Sequence, residues 1–174
     1  MGRRTKRTES GTPALTFLVD TQVPHTVHSF EYDDSRPDQH SDYALQAAAA
    51  LGVEAHCVFK TLVWKVDTRL VLALAPATSV IAPKLLASAA AAKKAQLADL
   101  ATAERASGSV AGAISPLGMR RQVPVFMDDS VRGCPQVYVS AGRRGVEICL
   151  LPDHLIAATH ATVARLCPRQ PPSA

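Results

Sequence analysis

The chain has 174 residues, 47% of them hydrophobic and 20% charged, the balance of a soluble globular protein long enough to bury a substantial core. Its net charge of +4 is matched by Arg3, Arg4, Lys6 and Arg7 alone. The body behind them is therefore close to neutral and is not expected to bind nucleic acid indiscriminately. No apolar run approaches the roughly 18 residues of a membrane-spanning helix, and the basic start runs into Thr8-Glu9-Ser10-Gly11 rather than an apolar stretch, so neither a membrane span nor a secretory leader is expected.

Residues 1–11 read as a flexible basic tail, 12–167 as one domain, and the proline-rich 168–174 as a second tail. Thr12 and Pro13 form an N-cap and first-turn pair for a helix with Leu15, Leu18 and Val19 inward, ended by Pro24. His25 to Phe30 reads as a strand and Asp33 to His40 as a polar loop. Ser41 caps a helix that runs through Tyr43, Leu45 and the Ala47–Ala50 run to Gly52.

His56 to Val66 is rich in β-branched and aromatic residues and reads as a strand. A tight turn at Asp67-Thr68 leads to a second strand, Arg69 to Ala75. Pro83 opens an alanine-rich helix, and Asp99 to Ala106 a shorter one. Gly108 to Gly118 is strand-like at its centre and broken by glycines, with Gly112 marking a bulge or a close approach to the backbone. Val123–Met127, Gln136–Ser140 and Val146–Leu151 complete the strands, and Asp153 to Leu166 reads as a closing helix. Strands and helices that do not alternate strictly predict an α+β fold. Its sheet is expected to be curved, barrel-like, mixed and largely antiparallel, with six to seven strands flanked by helices.

Within the His56–Val66 strand, Val58, Lys60, Leu62, Trp64 and Val66 share a face. Lys60 thus falls in an apolar register, whereas Lys65 lies on the other face near the strand's end. A lysine so placed either snorkels to water or directs its ammonium at a ligand or at developing charge. Cys57, Cys134, Cys149 and Cys167 are widely spaced, with no C-x-x-C pair, and are expected to be reduced thiols in a cytosolic protein. The histidines show no metal-ligand spacing, and no metal or other cofactor is expected. Nucleophile elbow, P-loop and dinucleotide signatures are missing from the sequence.

Three segments occur in a telling order: Val58-Phe59-Lys60-Thr61-Leu62, Ser107 to Gly118, and Tyr138 to Ile148 containing Ser140-Ala141-Gly142-Arg143-Arg144-Gly145. Together they resemble the YbaK/EbsC family of free-standing aminoacyl-tRNA deacylases, which is related to the editing domain of bacterial prolyl-tRNA synthetases. The resemblance runs from about Thr12 to Leu166. It implies a barrel-like sheet and removal of a wrongly attached amino acid from tRNA, typically cysteine from Cys-tRNA(Pro). It further implies Lys60 and Gly112 as the catalytic positions, with Phe30, Ala113, Ser115, Ser140 and Glu147 at the substrate. Misacylated tRNA, and with it prolyl-tRNA synthetase, are the implied partners, in the cytoplasm.

The family's usual pattern has tyrosine at the positions of Phe30 and Ser109, glycine at Ala113 and aspartate at Glu147. These departures leave two alternatives: a deacylase for another substrate such as Ala-tRNA(Pro), and a non-catalytic module that binds a nucleotide or a synthetase.

Overall fold

A computed structural model describes residues 11–33, 35 and 43–169. Most of the two expected tails, the Ser41 cap and nearly all of the 33–40 loop lie outside the described residues. Among the described residues, five helices and eight strands follow one another as α1 (Pro13–Asp20), β1 (Thr26–Ser29), α2 (Tyr43–Leu51), β2 (Phe59–Val66), β3 (Arg69–Pro76), α3 (Pro83–Ala89), β4 (Ala95–Leu97), α4 (Leu100–Ser107), β5 (Val125–Asp128), β6 (Val137–Ser140), β7 (Val146–Leu150), α5 (Pro152–Thr159) and β8 (Thr162–Ala164). The α+β expectation holds.

The strands form two sheets, ordered β1-β7-β6 and β4-β2-β3-β5-β8. The first is antiparallel throughout. The second is antiparallel around β2 but parallel where β3 meets β5 and β5 meets β8. The sheets touch at a parallel bridge between Val58 and Tyr138. Among the described residues no barrel closes, because β1, β4 and β8 each end a sheet.

Alternation along β2 places its two faces in different cores. Phe59 and Val63 join the larger cluster with Leu72, Leu74, Met127 and Ile148. Trp64 and Val66 join a second with Val71, Phe126 and Leu166, and Leu62 packs against it. Lys60 shares the second face and is half-buried, while Lys65 is exposed. The turn to β3 has Asp67 in the left-handed region at φ 51°, and its carboxylate accepts from the N–H groups of Lys93 and Lys94. An aspartate that both tolerates this conformation and finds donors takes the role that glycine or asparagine usually has.

Several expectations are corrected. The strand begun at His56 begins at Phe59, because Ala55–Cys57 winds into a short 3-10 helix. Thr12 caps α1 as expected, accepting from Leu15 N–H at 3.3 Å, but Val19 is exposed and Ala14 joins Leu18 inside. The Gly108 to Gly118 segment, expected to be strand-like at its centre, contains no strand.

The closing helix stops at Thr159. His160 turns left-handed at φ 52°, and the β-branched Thr162-Val163 pair then adds a strand to the open edge of β5. Asp128 anchors the chain beyond β8, its Oδ2 accepting from the N–H groups of Leu166 and Cys167 at 2.9 Å each. The weak strand former Ala95-Gln96-Leu97 pairs only along Trp64–Val66 of β2.

Finally, Cys57 and Cys134 are not free thiols. They are 77 residues apart in sequence and are joined as a disulfide, whereas Cys149 and Cys167 are free and buried. Sequence spacing could not reveal the pairing, because the Val58–Tyr138 bridge is what brings the two stretches together.

Candidate active site

Between the bridge at Val58 and the first β4 pair at Trp64, β2 has no strand among the described residues paired along its outer edge. A cleft opens there. Four consecutive residues of β2 and its approach, Val58 to Thr61, border it, together with Gly112, Ile114, Ser140, Glu147 and Tyr43. Its free space is about 10 Å³, room for one water-sized group. Larger clefts lie around Phe17, away from these residues, and are lined by loop backbone, apolar side chains and surface histidines.

Lys60 enters from one sheet. Ser140 and Glu147 enter from the other, as direct partners across the β6–β7 ladder. Gly112 comes from the loop after α4, in a turn where Ala113 N–H donates to Val110 O at 3.1 Å. Its φ of 87° is a conformation that L side chains adopt only at a steric cost. Two groups outside the expected set fasten this turn. Ala111 N–H donates to Glu104 Oε1 at 3.1 Å, and Arg144 Nη2 donates to Ala111 O at 3.3 Å.

Glu147 is 1% exposed. Burial drives its pKa up to about 8, against the lowering effect of a hydrogen bond with the Tyr43 hydroxyl, because a carboxylate loses hydration that the interior does not replace. At neutral pH it is mostly an uncharged acid. Tyr43, on α2, is held protonated by its burial and by the nearby Glu147 carboxyl. Its oxygen also accepts from Gly145 N–H at 2.8 Å. Thr61 Oγ1 and Glu147 Oε1 are buried with no hydrogen-bond partner among the described residues. Such atoms in a cleft wall are suited to a polar ligand group.

The seven expected site residues therefore divide. Lys60, Gly112, Ser140 and Glu147 meet at the cleft. Ala113 and Ser115 are buried and do not border it; Ser115 Oγ accepts from Leu117 N–H within its own loop. Phe30 packs on Tyr43, ring centroids 5.9 Å apart, and borders a neighbouring cleft of about 280 Å³ with Tyr32, Arg143 and Arg144. Arg144 stacks over the Tyr32 ring at 5.6 Å. Tyr43 and Thr61 belong to the site but carry no signal in the sequence beyond an aromatic in a helix and a strand threonine.

Cys167 offers no nucleophile, since burial and then Asp128 push its thiol up to about 12 despite the Lys60 ammonium. Cys57 and Cys134 are bonded to each other. Fold and site together define an α+β protein with a polar cleft at the seam between two sheets. Residues 39–158 match the model of the aminoacyl-tRNA editing domain, and the chain belongs to that family.

A relative from Enterococcus faecalis (strain ATCC 700802 / V583), named "Putative Cys-tRNA(Pro)/Cys-tRNA(Cys) deacylase EbsC", is 29% identical over 166 residues, covering 95% of this chain and 98% of the relative. Among solved structures, one described as a "putative trans-editing enzyme for prolyl tRNA synthetase" superposes with a TM-score of 0.72 at 22% identity, covering 83% of this chain and 87% of that one. A scaffold protein from work on computational epitope grafting reaches 0.79 at 21% identity, over 91% and 96% of the two chains. These two likenesses concern the fold.

Proposed function

We propose that this protein is a trans-editing deacylase that releases a mis-attached amino acid, cysteine, from tRNA for proline. The observation that carries the reading is the convergence of Lys60, Gly112, Ser140 and Glu147 on one cleft from three separate stretches of chain. An aminoacyl ester is already activated, so its cleavage depends on orientation and on stabilising charge at the carbonyl. Lys60 supplies a cation for the terminal phosphate or the developing oxyanion. The exposed Gly112 turn lets the ester come close to the backbone.

The cysteinyl thiol then attacks its own carbonyl. A C–S bond forms, the ester C–O bond breaks, and the ribose hydroxyl leaves with the thiol proton, giving a thiolactone and free tRNA. The small free volume and two buried polar atoms with no partner among the described residues, Thr61 Oγ1 and Glu147 Oε1, support a short polar side chain over a longer apolar one. The adjoining cleft with Phe30, Tyr32, Arg143 and Arg144 offers aromatic faces and cations of the kind that hold single-stranded nucleotides.

The near-neutral body favours tRNA selection borrowed from a bound prolyl-tRNA synthetase, and an enzyme of this kind works in the cytoplasm, where tRNA is charged. The test is a panel of tRNAs carrying cysteine, alanine, serine or the cognate amino acid. Release of cysteine from proline tRNA ahead of alanine is expected. Preferred release of alanine would replace cysteine as the substrate, and binding of charged tRNA without any release would replace the enzyme by a binding module.

A further inference from the structure

The seam between the sheets carries a second group of chemistry-bearing side chains outside the cleft. The ligand-capable atoms of His56, Cys57 and Cys134 all lie within 4.8 Å of one another. Cys57 and Cys134 are 4% and 6% exposed, while the His56 side chain is 58% exposed. We propose that His56, Cys57 and Cys134 form a site for a thiophilic divalent cation of the Zn²⁺ class, occupied when the Cys57–Cys134 disulfide is reduced.

The donor set suits such an ion. Two thiolates and one imidazole are soft and borderline ligands that select zinc over calcium or magnesium. Two thiolates also neutralise the ion's charge, which suits sulfurs buried at the edge of a core. Zinc–sulfur bonds of about 2.3 Å at tetrahedral angles hold two sulfurs roughly 3.8 Å apart, a modest opening for cysteines whose Cα atoms are 5.7 Å apart. The fourth position faces solvent on the His56 side. There Glu54 Oε2 lies 3.7 Å from His56 Nδ1, close enough to orient the ring or to supply an oxygen as the fourth ligand.

Occupancy and oxidation exclude each other. A thiol or phosphine reductant gives two electrons and, with two protons from water, converts the S–S bond to two thiols. The cation then displaces both thiol protons. Disulfide and metal are thus two ways of making the same tie, between the approach to β2 and the 3-10 helix (Asp129–Gly133) that precedes β6. The proposal is independent of the editing reaction, since none of its three ligands borders the Lys60 cleft.

The test uses the full chain, oxidised or reduced and freed of metal, titrated with Zn²⁺ and with Co²⁺ as a spectroscopic probe. The reduced protein is expected to take one equivalent, release two protons, and show the thiolate–Co²⁺ charge-transfer band and strong visible bands of a tetrahedral site. The oxidised protein is expected to show none of these. His56→Ala, at an exposed position that should leave folding intact, is expected to weaken binding at least about tenfold and to change the visible spectrum. Cys134→Ser, verified as folded by circular dichroism, is expected to lose the bound equivalent. No stoichiometric binding by the reduced protein, equal binding by the oxidised protein, or unchanged affinity and spectrum in His56→Ala would each overturn the proposal.

Discussion

Tyr43 and Glu147 form a buried hydrogen-bonded pair at the wall of the Lys60 cleft, one from α2 and the other from β7. The pair joins α2 to the β1-β7-β6 sheet, and Gly145 N–H completes it by donating to the tyrosine oxygen at 2.8 Å. Burial, against the lowering effect of the Tyr43 hydrogen bond, keeps the Glu147 carboxyl mostly uncharged beside the Lys60 cleft at neutral pH.

The first prediction concerns pH. Glu147 is protonated in the folded protein up to about 8 but ionises in the unfolded chain from its ordinary 4.5. Between those values the folded state holds a proton that the unfolded state has lost, so stability is full below the lower value and falls as pH rises toward the upper. The loss amounts to as much as about 4 kcal/mol. Denaturant midpoints of wild type and Glu147→Gln, taken from pH 4.5 to 8.5, should diverge, with the variant lacking this decline. Parallel pH curves would show that Glu147 titrates normally.

Tyr43→Phe removes a hydroxyl that serves two buried partners. Leaving Gly145 N–H and the Glu147 carboxyl unsatisfied should cost about 2 kcal/mol, read as a lower midpoint in urea. A cost near zero would mean that water replaces the hydroxyl.

Gly112→Ala tests the turn at φ 87°. An L residue there should cost about 1–2 kcal/mol and depress activity well beyond that loss. Gly52→Ala is the control, since Gly52 also has positive φ, at 66°, and a Cβ there meets nothing within 4 Å. It should carry a similar stability cost and keep wild-type activity. Equal activity in the two variants would remove Gly112 from the site.

The Cys57–Cys134 bond closes a loop spanning 77 residues. Reducing it in the presence of a chelator should lower stability by roughly 4 kcal/mol if loop entropy dominates. Unfolding curves with and without a phosphine reductant measure this directly, and coincident curves would contradict it.

How much of the fold is legible in the sequence varies by element. Periodicity places Lys60 among apolar neighbours because β2 is a regular strand buried on both faces, so alternation survives in the sequence. The Thr12–Pro13 start of α1 is legible for the same local reason. β4 and β8 are not, because Ala95-Gln96-Leu97 and Thr162-Val163-Ala164 become strands only by meeting a vacant sheet edge. Val163 and Leu166 also fit helical spacing by coincidence, and nothing short of His160's left-handed turn separates the two readings.

At the site, Ser140 and Glu147 are seven residues apart and meet across one hairpin, so their pairing follows from locating that turn. Tyr43, Thr61 and the Glu104–Ala111–Arg144 fastening depend on contacts between distant segments. The Cys57–Cys134 bond does too.

Single-turnover deacylation of Cys-tRNA(Pro) by wild type and by Lys60→Ala tests the role of Lys60 most directly. Lys60 is half-buried at a strand edge, so its truncation should leave the fold intact by circular dichroism. Wild type is expected to release cysteine, and Lys60→Ala to do so at a rate lower by at least about 10²-fold with tRNA binding retained within a few fold. A folded Lys60→Ala protein that deacylates at the wild-type rate would contradict that role.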